Sequence, residues 1–216
     1  MNLFTRVLFD STPNYISKDV DSAVEMLRAH CSDALWMLTN NTPIYRGDKQ
    51  LQNNDADFLY VDPSVTVRKS ANTTNFYTSV FDAIPSWVDW PKRSRSFIGS
   101  TDPRTAGAFG GGGRPRILIP FNGVQIGVCS GSDLWDTEVY LADRGHAIDN
   151  LNAVFARVSC EEYSDLSTLS TSDIELLNIQ LGSHFKSISE VKEWVASVYS
   201  PKSLRMEKYT TSTLPK

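Results

Sequence analysis

Arg46, the Ser100-Thr101 hydroxyl pair and the Asp136/Glu138 carboxylate pair are the residues of this chain best equipped for chemistry. They sit in three short segments: Ile44-Tyr45-Arg46-Gly47, Phe97-Ile98-Gly99-Ser100-Thr101-Asp102-Pro103 and Trp135-Asp136-Thr137-Glu138-Val139-Tyr140-Leu141. A guanidinium is a permanently charged, planar fork that matches phosphate oxygens. A carboxylate can stabilise a carbon that becomes cationic when its leaving group departs. Together these groups could hold an anionic dinucleotide and do chemistry at a ribose carbon. Asp136 and Glu138 stand two positions apart in a stretch that reads as a strand, so both side chains point to one face. Singly, each segment has a plain explanation: a turn after Arg46, a helix cap at Asp102, a solvated strand edge at Asp136. Their order and joint occurrence point to a site.

The elements that must position them follow from periodicity and punctuation. Val20, Val24, Leu27, Cys31, Ala34 and Leu38 recur at steps of three and four, which predicts one helix over 18–38 with Ser17 as its N-cap. Asn40-Asn41-Thr42-Pro43 ends it, and Ile44–Arg46 begins a strand. A short strand is expected at 64–68, a helix at 76–84, a strand at 96–100 and a short helix at 102–109. Strands at 116–119 and 124–128 flank a Pro120/Asn122-Gly123 turn. Further strands are expected at 138–141 and 153–158. Two helices close the chain, with capping-box spacing at Ser172/Glu175 and Ser187/Glu190. The Ser/Thr-rich 164–172 stretch reads as a linker.

The bulk properties admit a folded protein and exclude several classes. The chain has 216 residues, 41% of them hydrophobic, enough for one well-buried core or two small lobes. A net charge of −4 argues against a wholesale nucleic-acid coat. Cys31, Cys129 and Cys160 are widely spaced, giving neither a disulfide framework nor a CxxC metal pattern, and suit a reducing compartment. His30, His146 and His184 show no metal spacing. The N-terminal residues lack the apolar run of a signal peptide, and no stretch approaches membrane-spanning length. The expectation is a cytoplasmic protein, or one acting in a host cytoplasm after delivery, with no membrane contact.

The three segments, in this order, resemble the arginine-serine-glutamate class of mono-ADP-ribosyltransferases. Tyr45-Arg46-Gly47 resembles that family's arginine strand. The segment from Phe97 to Pro103, followed by Ala106 and Phe109, resembles its hydroxyl strand and short helix, and Asp136-Thr137-Glu138-Val139-Tyr140-Leu141 its paired-carboxylate strand. The likeness spans residues 17–158. It implies an α+β fold, an ADP-ribosyltransferase-like split β-sandwich of two small, mostly antiparallel sheets with flanking helices. The catalytic domain would be residues 1–160, with 161–216 a helical extension packed on it. It also implies NAD as substrate and no metal. Glu138 would stabilise the ribose cation, Asp136 would orient the acceptor, and Arg46 would bind the phosphates. Gly47, Thr101 and Phe109 would line the NAD site, and Ser100 would hold Glu138. The hydroxyl motif reads Gly-Ser-Thr rather than Ser-Thr-Ser, and Asp136 replaces a glutamate, which bears on the choice of acceptor.

Two alternatives stay open. Arg114-Pro115-Arg116-Ile117-Leu118-Ile119-Pro120 also resembles the family's strand after the carboxylates, with arginines in both carboxylate positions. On that alignment the chain is an inactive module that binds nucleotide or nucleic acid. The segment holding Lys92, Arg93, Arg95, Arg104, Arg114 and Arg116, preceded by Trp87 and Trp90, reads either as a solvated face or as a nucleic-acid contact. The acceptor is accordingly a protein, with an arginine side chain favoured, or a nucleic acid. The run Gly110–Gly113 lacks the Gly-Lys-Ser/Thr of a phosphate loop and reads as a flexible loop.

Overall fold

The computed structural model describes residues 2–5, 20–40, 42–47, 74–109, 115–129 and 151–213, with the single positions 58, 67 and 69. They form a mixed α+β protein whose contacts group into two units, and whose strands between residues 2 and 129 pair antiparallel.

The first unit begins with β1 (Asn2–Thr5), α1 (Val20–His30), α2 (Ser32–Thr39) and β2 (Ile44–Arg46). It continues with β3 (Phe97–Ser100), α4 (Pro103–Phe109), β4 (Arg116–Leu118), β5 (Gln125–Cys129) and the strand β6 (Met206–Thr210), of which residues 207 onward belong here. The strands run in the order β4-β2-β3-β1-β5-β6. β1, which has no clear periodic signal, hydrogen-bonds to β3 on one edge and β5 on the other, with Asn2 opposite both Ser100 and Cys129.

The expected pair of small sheets is thus joined through β1 into one ladder, and that ladder curls. β4 and β5 are four strand spacings apart in the order, about 19 Å if the sheet were flat. The linker between them could span that only if nearly straight, at about 3.5 Å per residue. Instead it turns at Gly123, where φ is +77°, a conformation that favours glycine, and Val124 N–H bonds back to Phe121 O at 3.3 Å. Curling brings Ile44 of β2 into one core with Val124, Ile126 and Val128 around Met37, flanked by Trp36, Leu118 and Phe121. The Asn-Gly turn is therefore present, but it joins strands that are not neighbours.

The helix expected over 18–38 is two helices. Cys31, with φ −126° and ψ 20°, leaves the helical region, and α2 starts afresh after it. Ala23, Cys31, Ala34 and Met37 face the core, while Val20 is exposed. Cys31 has no side-chain oxygen with which to cap α2. Asn122 does so from the β4–β5 linker, 89 residues away: its Oδ1 accepts from Asp33 N–H at 2.9 Å. Its Nδ2 donates to Ser32 Oγ at 3.0 Å, and its own N–H donates to His30 O at 2.7 Å.

The second unit is helical among its described residues: α3 (Phe76–Ala83), α5 (Leu151–Arg157), α6 (Thr171–Leu181) and α7 (Ile188–Val198), with short 3-10 turns at Pro85–Trp87 and Tyr163–Thr168. The strand expected at 153–158 is α5. Leu151, Val154, Phe155 and Val158 are buried at helical spacing, a stripe that a window opening at Ala153 truncates. The first of the closing helices is capped by Ser170 and Asp173 rather than Ser172 and Glu175. Ser187 caps the other as expected. Its stretch 164–172 is no linker, since Leu166 and Leu169 are buried.

Residues 161–206 group with residues 68–94 in this second unit. Phe76 stacks on Phe155 at 4.4 Å, Tyr77 and Phe81 meet Tyr199 edge-on, and Trp87 Nε1 donates to Tyr199 O at 2.6 Å. The aromatic run before residue 90 thus packs into the core of the C-terminal helices. Each fully buried ring contributes about 2–3 kcal/mol.

Replacing Asn122 by alanine should lower stability by about 1–2 kcal/mol, the worth of a helix cap. Denaturant unfolding should show the loss, with no comparable change when the exposed Glu175 of α6 is replaced by glutamine.

Candidate functional site

Arg46 ends β2 and lies between two strands. On one side it stands directly across from Arg116 of β4. On the other, its Nη1 donates to Ile98 O of β3 at 3.1 Å, and its guanidinium carbon lies 5.0 Å from the centre of the Phe97 ring. The carbonyl fixes the direction of the fork and the ring attracts its charge. Arg46 is half-buried.

The register decides which side chains share a face. Tyr45 pairs with Ser100, so these two project to one side of the sheet. Arg46 therefore projects to the other side, with Ile44, Phe97 and Gly99. A Cβ at Gly99 would lie 2.6 Å from Ile44 Cγ2 and 2.8 Å from Tyr45 O, so only glycine lets β2 and β3 approach this closely. Arg46 and Ser100 are on adjacent strands, then, but on opposite faces.

Ser100 is buried, and its Oγ accepts from Asp102 N–H at 3.1 Å. A hydroxyl that accepts in this way keeps its proton to donate, as orienting a carboxylate requires. Thr101 is half-buried beside it. Asp102 caps α4: Oδ1 accepts from Arg104 N–H at 3.1 Å, and Oδ2 accepts from the Thr105 N–H and from its hydroxyl, the latter at 2.6 Å. The Thr105 hydroxyl, followed by the Arg104 amide, holds the Asp102 carboxyl below its ordinary value. Asp102 and Pro103 thus serve as the helix start.

Gly47 follows β2 and is half-buried. Phe109 ends α4, with its side chain outside the described residues. Asp136, Glu138 and Arg114 also lie outside them, as does Gly110–Gly113.

The basic segment divides by role. In the second unit, Lys92 Nζ donates to Asp82 O at 2.9 Å, and Arg93 donates to Thr78 Oγ1 at 2.6 Å while lying over the Tyr77 ring. These two cations serve packing. In the first unit, Arg95 and Arg104 are exposed, and Arg116 is half-buried opposite Arg46. Only the β2–β4 pairing reveals that opposition; the sequence displays Arg116 as one cation in a basic run.

None of the cysteines is in a disulfide, and all three are buried. Burial pushes the Cys31 and Cys160 thiols up to about 11, so neither is a thiolate nucleophile near neutral pH. His30 stacks on Phe121. Among the described residues no group of His, Cys, Asp and Glu is arranged to hold a metal ion, and no helix is long and apolar enough to cross a membrane. Comparison with protein-family models, curated proteins and solved structures finds no match.

Two outcomes follow from this geometry. Gly99→Ala should cost about 1–3 kcal/mol through overpacking, seen as a lower denaturation midpoint. Because the folded-state value of Asp102 is lowered, its stabilising effect is present above the ordinary carboxylate range and is lost as pH falls through the lowered value. Melting temperature should therefore drop more steeply on acidification in the wild type than in Asp102→Asn.

Proposed function

We propose that the protein transfers ADP-ribose from NAD to a macromolecular acceptor, an arginine side chain first, and releases nicotinamide. The observation that carries this reading is the pairing of β2 with β3 through Tyr45 and Ser100, which makes the arginine strand and the hydroxyl strand direct neighbours while Arg46 and Ser100 leave the sheet on opposite faces. The curled ladder supports the finer architecture proposed with it, a split β-sandwich around a NAD cleft.

In this reading Arg46 binds the diphosphate, its fork pre-oriented by Ile98 O and Phe97. The bond between nicotinamide nitrogen and ribose C1′ breaks, its electron pair leaving with nicotinamide. Glu138 stabilises the resulting oxocarbenium ion, steered by the Ser100 hydroxyl. Asp136 orients the acceptor guanidine and takes its proton as nitrogen bonds to C1′. Gly47 lets the backbone approach the nicotinamide amide, and Thr101 and Phe109 complete the cleft.

A second reading is favoured by β4. Arg116 stands where the competing alignment has a carboxylate, and it faces Arg46. A module that binds a nucleotide without turning it over would have such a pair of cations.

Nicotinamide release from NAD, measured with purified protein and cell lysate, separates the two readings. Release should fall at least about 100-fold in Glu138→Gln while NAD binding changes little. No release from the wild type with lysate would overturn the transferase in favour of the binding module.

A further inference from the structure

We infer that Asn122-Gly123 is a site of spontaneous deamidation, held closed in the folded protein by Thr211 and by the start of α2. None of these residues belongs to the site proposed for NAD. Asn122 is the one asparagine of the chain that glycine follows. An asparagine side-chain amide is within reach of the backbone nitrogen of the next residue, and glycine alone puts no Cβ in the way of that nitrogen. Asn122 and Gly123 are both exposed, and a Cβ at Gly123 would meet nothing within 4 Å, so water has access to the link.

The reaction needs only water. Once its proton is lost to solvent, the Gly123 nitrogen bonds to Asn122 Cγ and closes a cyclic imide, while the Cγ–Nδ2 bond breaks and Nδ2 leaves as ammonia. Water then adds to either carbonyl of the ring and gives aspartate or isoaspartate, so that amide and water become acid and ammonia. The fold engages every group that must move. Gly123 N–H donates to Thr211 Oγ1 at 2.8 Å, and Thr211 is itself buried, its hydroxyl 3.3 Å from Phe121 O and 3.4 Å from Asp33 Oδ2. Asn122 Oδ1 and Nδ2 are taken by Asp33 N–H and Ser32 Oγ. Attack therefore waits for a local opening that frees both the amide and the nitrogen. The products loosen the same arrangement. Aspartate has no N–H to give Ser32, and isoaspartate adds a main-chain carbon to a linker anchored at His30 O and Thr211.

The test incubates the full chain as wild type, Thr211→Val, Thr211→Ser and Ile126→Val, and follows residue 122 by peptide mapping, which separates asparagine, aspartate and isoaspartate. Ile126→Val trims the core of the first unit without removing a partner of Gly123. Wild type unfolded in urea should convert Asn122 about tenfold or more faster than native wild type, because no opening step is then required. Asn178, which isoleucine follows, should stay intact in both. Under native conditions Thr211→Val should convert Asn122 faster than the wild type, and faster than Ile126→Val when urea brings the two to equal global stability. Thr211→Ser, which keeps the hydroxyl, should stay near the wild-type rate. The deamidated fraction, separated by ion exchange, should melt below the unmodified protein. Equal rates in native and unfolded wild type would overturn the closure, as would equal rates in Thr211→Val and Ile126→Val at matched stability. An intact Asn122 in urea would overturn the site itself, and an unchanged melting temperature after deamidation would overturn the loosening.

Discussion

The first unit depends on four residues that hydrogen-bond along both edges. Asn2–Thr5 pair with β3 on one side and β5 on the other, so among the described residues the strands that carry Arg46, Arg116 and Ser100 join the strand that carries Ile126 and Val128 through β1. Buried backbone groups must find partners, and a central strand meets that need for both its neighbours at once. Curvature follows, because the short linker between β4 and β5 turns at Gly123 and draws the two ends of the ladder around a common core.

Asn122 ties the helices to this curl. By capping α2 and donating its own N–H to the last carbonyl of α1, it makes the break at Cys31 and the turn at Gly123 one arrangement. Thr211 adds a third contact: its hydroxyl accepts from Gly123 N–H at 2.8 Å, and its N–H donates to Val124 O at 3.1 Å. Helix break, linker turn and the last strand are thus held by polar groups remote in sequence. The second unit relies instead on apolar burial, in which rings before residue 90 and after residue 150 fill one another's gaps.

The candidate site has a fixed direction. Ile98 O, the Phe97 ring and the bare backbone at Gly99 define where the Arg46 fork lies, and Arg116 stands across from it in the strand register. Ser100, on the opposite face, is buried and anchored by the Asp102 amide, so its influence on the site would pass through a group it orients.

Local pattern determined much of this in advance. The strands at Ile44 and Phe97, the helices at 76–84 and 102–109, the Ser187 cap and the Asp102 start were all legible, because each rests on period, turn chemistry or capping within a few residues. Tertiary structure alone decided the rest. β1 is too short to show a period, and α5 looked like a strand until its buried stripe was completed by Leu151. The α2 cap comes from 89 residues away. That Arg46 faces Arg116 and turns its back on Ser100 depends on strand order and register, where a shift of one residue would reverse both faces. Sequence spacing carries no information about which strands become neighbours when the chain folds, and it is that neighbourhood which places one charge opposite another.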